Sequence, residues 1–157
     1  MKIFSKTLAA TALTMLTAFP VQAEGCLELG GVAIPNFFSE GKGEPVIISA
    51  TLMGSVTNAA GKIMAQRVTE TGLEMDMEHY FGRADGGALF TRDVGVLTAV
   101  PGRPGRFMIE ISYEVQEGQG RGTLAEYKGS FRSYGLVDLR DPQDMQGLVR
   151  YSGEVCK

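Results

Sequence analysis

The chain contains two cysteines, Cys26 and Cys156, and the second of them is the penultimate residue. In an oxidising compartment an even pair of cysteines is typical of a disulfide. A disulfide holds its two Cα atoms within about 7 Å of each other. We therefore expect a bond between Cys26 and Cys156, which requires a fold that brings the first and last strands side by side.

The first 23 residues are typical of a secretory signal peptide, which would deliver the chain to such a compartment. Lys2 and Lys6 supply a positive start, residues 8–19 are uncharged and mostly apolar, and Val21-Gln22-Ala23 provides the small residues that signal peptidase reads. We predict cleavage after Ala23, which leaves residues 24–157 as one periplasmic or secreted domain.

A membrane anchor and a lipoprotein are the alternatives to a cleaved signal. The apolar stretch has about 12 residues, whereas a helix that spans the membrane needs about 20. Lipid attachment at Cys26 would require small residues directly before it, and Glu24 interrupts that pattern. We therefore expect no stable membrane insertion after signal cleavage.

The charge of the remaining chain limits its partners. The sequence has 15 Lys plus Arg and 18 Asp plus Glu, so removing Lys2 and Lys6 leaves 13 basic residues and a formal net charge of −5. Acidic chains lack the basic surface through which proteins bind nucleic acids and anionic membranes. We expect no nucleic-acid partner, and the sequence identifies no protein partner.

Apolar and polar residues alternate along much of the chain, which is the pattern of half-buried β-strands. Glycine, proline, asparagine and aspartate separate the segments. The clearest predicted strands are 46–57, 73–81, 107–116 and 147–156, and weaker ones are 26–34, 62–68, 88–100, 122–131 and 134–139. For residues 59–68 a short helix is the alternative, because Ile63, Met64, Arg67 and Val68 also fit helical spacing.

These features predict an all-β fold, a single small antiparallel barrel of about eight strands, with a β-sandwich as the alternative. The barrel is favoured because the strands have one apolar face and the two ends of the chain must meet. The predicted shape is similar to the calycin group of small barrels. The resemblance is one of shape, since the chain has no tryptophan and so lacks the Gly-x-Trp element of lipocalins.

A barrel of about eight strands has room inside for side chains or for one small ligand. Flexible methionine thioethers are suited to adaptable apolar pockets. We predict a binding site for a small apolar ligand on the inner face of two strands, at Met75, Met77, His79, Phe81, Ile109, Ile111 and Tyr113. A core filled by these same side chains is the alternative.

His79 is the one histidine of the chain and lies on the apolar face of its predicted strand. Such an imidazole is able to move a proton or to bind a metal or haem, and the alternative is a core histidine that bonds a backbone carbonyl. Asp93 and Glu126 form a second candidate for acid–base chemistry if both face the interior. The alternative for these two carboxylates is an exposed position on a strand face.

The sequence names no cofactor and predicts no metal site. One histidine and two paired cysteines exclude a conventional zinc site, and no Gly-x-Ser-x-Gly or phosphate-loop motif is present. Asp138, Asp141 and Asp144 recur in a loop, but they lack the central glycine and acidic density of an EF-hand. We interpret them as solvated loop acids.

Three functions are compatible with this sequence. The first, which we prefer, is a periplasmic protein that binds a small apolar ligand. The second is a structural or interaction protein whose core is filled. The third is an enzyme of the isomerase or lyase type that uses His79 or an interior carboxylate.

Overall fold

The computed structural model describes residues 25–39, 41 and 43–157. The predicted signal peptide, residues 1–23, lies outside the described residues. The described part forms eight strands and one short 3₁₀ helix, η1: β1 (Cys26–Phe38), β2 (Ile47–Gly54), β3 (Asn58–Val68), β4 (Gly72–Gly82), β5 (Ala88–Ala99), β6 (Arg106–Val115), η1 (Gly122–Leu124), β7 (Lys128–Asp138) and β8 (Gln146–Cys156). In this part of the chain we find no helix with the length and apolar character needed to cross a membrane.

Each strand pairs antiparallel with the next one along the chain, and β8 pairs with β1 to close the barrel. The predicted all-β barrel of about eight strands is confirmed, and the sandwich alternative is wrong. Cys26 lies directly opposite Cys156 in the β1–β8 ladder. The two residues form the predicted disulfide, with their Cα atoms 4.0 Å apart.

The alternation of apolar and polar residues matches the two faces of the barrel wall. On β4, Met75, Met77, His79 and Phe81 are buried, whereas Tyr80 is exposed. On β6 the buried residues are Ile109, Ile111, Tyr113 and Val115. Successive side chains of a strand point to opposite faces, so these residues face the interior as the sequence predicts.

Several predicted boundaries are wrong. The strand predicted at 46–57 is too long, because β2 ends at Gly54 and residues 55–57 form the turn to β3. The strands predicted at 26–34 and 62–68 are too short, since β1 extends to Phe38 and β3 begins at Asn58. The two segments predicted at 122–131 and 134–139 are not separate strands, since residues 128–138 form β7 and Gly122–Leu124 forms η1. Ser133 and Gly135 lie on the inner face of β7, where they interrupt the apolar pattern.

The alternative of a helix over residues 59–68 is also wrong, since this segment belongs to β3. A β-bulge explains the irregular pattern. The register with β4 shifts between Ile63 and Ala65, so that Met64 is the extra residue. Ile63 lines the interior before the bulge and Gln66 lines it afterwards, which breaks the period of two.

One end of the barrel is packed closed. It is the end that carries the disulfide, and there η1 inserts Leu124, which is 1% exposed. Leu29, Leu89 and Val155 are equally buried at this end. The opposite end is formed by the β1–β2, β3–β4, β5–β6 and β7–β8 connections, and we call it the mouth.

The covalent closure gives a testable expectation for stability. We expect the variant with both Cys26→Ser and Cys156→Ser to keep the barrel, because the β1–β8 backbone hydrogen bonds remain. Its free energy of unfolding should be lower by about 2–5 kcal/mol, since a bond between distant residues restricts the unfolded chain; here the separation is 130 residues. Urea unfolding followed by circular dichroism measures the difference. Identical unfolding midpoints for the oxidised protein and the variant would contradict this account.

Candidate functional site

The barrel encloses a cavity of about 240 Å³. Its wall is mainly aliphatic and aromatic, and it includes all seven residues that the sequence proposes for a ligand site: Met75, Met77, His79, Phe81, Ile109, Ile111 and Tyr113. The cavity extends to the mouth, where the half-buried Phe37, Val46, Leu139 and Met145 surround it. The binding role of the seven residues stays a prediction.

Small residues on the inner wall keep this space open. Ala33, Ala50 and Ala59 line the cavity from β1, β2 and β3. On β5, a Cβ added to Gly95 would lie 2.5 Å from the terminal methyl of Met77. None of these positions is among the predicted site residues, which are all large side chains; small residues at inward positions are the sequence signal that identifies them.

His79 and Asp93 form a buried pair at the side of the cavity. Nδ1 of His79 lies 2.6 Å from Oδ2 of Asp93, and their side chains are 6% and 0% exposed. His79 lines the cavity, whereas Asp93 is not part of its wall. The imidazole therefore separates an enclosed carboxyl group from the space that a ligand would occupy.

Packing on three sides fixes the imidazole. It lies over Gly61 of β3, where an added Cβ would be 2.3 Å from Cδ2 and 2.5 Å from Nε2. It stacks on Phe81 with ring centroids 5.7 Å apart and meets Tyr113 edge-on at 5.5 Å. Within residues 25–39, 41 and 43–157, we find no hydrogen-bond partner for Nε2.

Two further polar groups reach the cavity wall as a bonded pair. The hydroxyls of Tyr113 and Ser133 are 2.9 Å apart. Burial raises the pKa of the Tyr113 phenol well above its usual value, and the negative charge of Asp93 adds to this effect. Tyr113 therefore stays protonated. The hydrogen bond between Tyr113 and Ser133 takes one of their two hydroxyl hydrogens, and the other is free to bond elsewhere.

Tyr151 contributes a third hydroxyl from β8. Its oxygen accepts a long hydrogen bond of 3.4 Å from the backbone N–H of Val56. The side chain is buried and lines the cavity. Its own hydroxyl hydrogen has no acceptor among the described residues.

The other acidic candidates are not brought together at this site. Asp93 faces the interior, but Glu126 is exposed beyond η1, so the two carboxylates form no pair. Asp138 is bonded by Arg140 and Arg106, and chiefly the Arg140 guanidinium holds the pKa of Asp138 well below its usual range. Asp141 and Asp144 bond to the backbone of Gln143 and the side chain of Gln146. The interpretation as exposed loop acids therefore holds for Asp141 and Asp144, and it is wrong for Asp138, which is the last residue of β7 and is half-buried.

Comparison of the chain with protein-family models, with curated proteins and with solved structures finds no match.

The buried pair predicts a non-additive effect on stability. We expect His79→Leu to lower the free energy of unfolding by about 3–5 kcal/mol, because it leaves Asp93 enclosed without its partner. Adding Asp93→Leu should recover most of this loss, since an apolar pair of similar volume suits the interior. Urea unfolding of the wild type, both single variants and the double variant gives the comparison. Additive losses would contradict a coupled pair.

Proposed function

We propose that this chain is an exported binding protein that holds a small apolar ligand inside its barrel. The observation that carries the proposal is the cavity of about 240 Å³ with an apolar wall that extends to the mouth. Ligand sites in proteins are concave and mostly apolar, with a few placed polar groups. The disulfide and the signal-like first 23 residues support a periplasmic or secreted location.

The cavity volume limits the size of the ligand. An apolar cavity of roughly 150 Å³ accepts benzene, so a cavity of about 240 Å³ suits a molecule of roughly ten non-hydrogen atoms. Burial of its apolar surface would supply most of the binding free energy. A structural or interaction protein with a filled core would lack a cavity of this size, so this function is less well supported.

An enzyme that moves a proton is a second candidate function. The observation that favours it is the enclosed Asp93 on Nδ1 of His79, an arrangement that orients an imidazole for proton transfer. A proton shift within a bound substrate, as in an isomerase, needs no further reactant. Turnover that persists unchanged in the His79→Gln variant would exclude this version.

Ligand binding is tested by filling the cavity. Naphthalene is a suitable probe of about the right size, and calorimetric titration should show binding with a negative heat-capacity change. Ala50→Phe places a ring in the cavity and should weaken binding about tenfold or more, a change of about 1.4 kcal/mol. Ser49→Phe, at the exposed neighbouring position of β2, is the matched control and should bind like the wild type.

Two results would count against the proposal. A wild-type protein that shows no heat of binding with naphthalene would refute an accessible apolar cavity. Equal weakening by Ala50→Phe and Ser49→Phe would show that the probe binds outside the barrel.

A further inference from the structure

We infer that the cavity selects apolar ligands that carry a carbonyl oxygen, and that Nε2–H of His79 donates a hydrogen bond to this oxygen. The inference rests on the proposed function, because it names the chemical class of the ligand in the same cavity. It follows from the charge and the hydrogen atoms of the His79–Asp93 pair.

The charge of Asp93 in the buried pair needs compensation from His79. The Asp93 side chain is fully enclosed, and its second oxygen, Oδ1, has no hydrogen-bond partner in the part of the chain that the structure describes. Buried charges are kept in proteins only when they are compensated. No arginine or lysine bonds to Asp93 among the described residues, so compensation has to come from His79.

The hydrogen atoms of the pair can lie in two ways that leave it neutral. The contact of 2.6 Å between Nδ1 and Oδ2 requires a hydrogen atom between these atoms. Two arrangements then give a neutral pair: an imidazolium with a carboxylate, or a neutral imidazole whose Nδ1 accepts from a protonated carboxyl group. In both arrangements Nε2 carries a hydrogen atom. The nitrogen without a protein partner is therefore a donor.

The neighbouring polar groups have the same character. The Tyr113–Ser133 pair has one spare hydroxyl hydrogen, and Tyr151 has another. Hydrogen-bond donors thus predominate deep in the cavity. The amide of Gln66 offers both donors and an acceptor, but it lies nearer the mouth, beyond the β3 bulge. A ligand complements these groups best when its polar atom has lone pairs and no hydrogen.

A neutral carbonyl group fits this requirement better than the other small head groups. A hydrocarbon would leave the Nε2–H donor unpaired in an apolar space, which is unfavourable. A carboxylate would bring an uncompensated charge into the apolar cavity beside a neutral pair, which is costly. Ketones, aldehydes, esters and quinones with about ten non-hydrogen atoms, the size set by the cavity volume, are the class that remains.

Paired ligands test the inference. Propiophenone and propylbenzene have the same carbon skeleton and differ by the carbonyl oxygen, so the ratio of their dissociation constants isolates its contribution. The ratio is the dissociation constant of propiophenone divided by that of propylbenzene. In the double variant with His79→Leu and Asp93→Leu we expect this ratio to rise about tenfold, because the carbonyl oxygen loses its donor. This variant removes the donor and leaves no buried charge, so it should keep the barrel. His79 lines the cavity, so the affinity for propylbenzene also changes, and the ratio isolates the part of the change that depends on the carbonyl oxygen.

The outcomes separate this inference from the proposed function. An unchanged ratio with propylbenzene still bound would overturn the carbonyl preference alone. Failure of both compounds to bind the wild type would overturn the binding function as well. If the double variant does not fold, His79→Gln takes its place, because the glutamine amide still offers hydrogen atoms to Asp93 and to the cavity. The ratio of dissociation constants for His79→Gln should stay within about threefold of the wild-type ratio. A change of about tenfold would overturn the inference.

An independent measurement addresses the donor directly. The sequence has one histidine, so protein labelled with ¹⁵N in histidine gives imidazole signals from His79 alone. We expect a one-bond coupling between ¹⁵N and ¹H at Nε2, and a shift of this signal when propiophenone is added. In the same complex the carbonyl stretch of the ligand should move to lower frequency. A bare Nε2 in the free protein, or an unmoved carbonyl stretch, would overturn the inference.

Discussion

Pairing between β1 and β8 is the constraint on which the remainder of this structure depends. Without it the eight strands would form an open sheet with two exposed edges, and the inner face would have no closed interior. The ladder runs from Cys26 opposite Cys156 towards the mouth, and the disulfide fixes its first rung. The disulfide therefore reinforces a pairing that the β1–β8 backbone ladder makes along its whole length.

Given a closed barrel, the size of the inward side chains decides whether the interior is a core or a cavity. At the closed end, Leu29, Leu89, Leu124 and Val155 fill the space. Towards the mouth the wall contains alanines, and Gly61 and Gly95 make room for the His79 ring and the Met77 methyl. The same architecture therefore supplies a packed floor for stability and an apolar chamber above it.

Much of this fold is predictable from the sequence, because a period of two reports directly which residues face inward. The inner faces of β4 and β6 follow from it, the disulfide follows from the two cysteines, and the barrel follows from both together. The bulge at Met64 and the single strand β7 do not, since Ser133 and Gly135 break the apolar pattern. The His79–Asp93 pair was also not predictable, because it depends on the β4–β5 register that sets Met77 opposite Asp93 and His79 opposite Thr91. Strand register follows from the turn, and the pattern of either strand alone does not contain it.

The central claim is that the upper interior of the barrel is a real apolar cavity that a small molecule can enter. Diffraction from crystals of the purified protein held under xenon pressure tests it most directly, since xenon occupies apolar cavities and is located by its electron density. The account predicts xenon inside the barrel, in contact with Met75, Met77 and Ile109. An interior without xenon, with these side chains packed across the barrel axis, would contradict it.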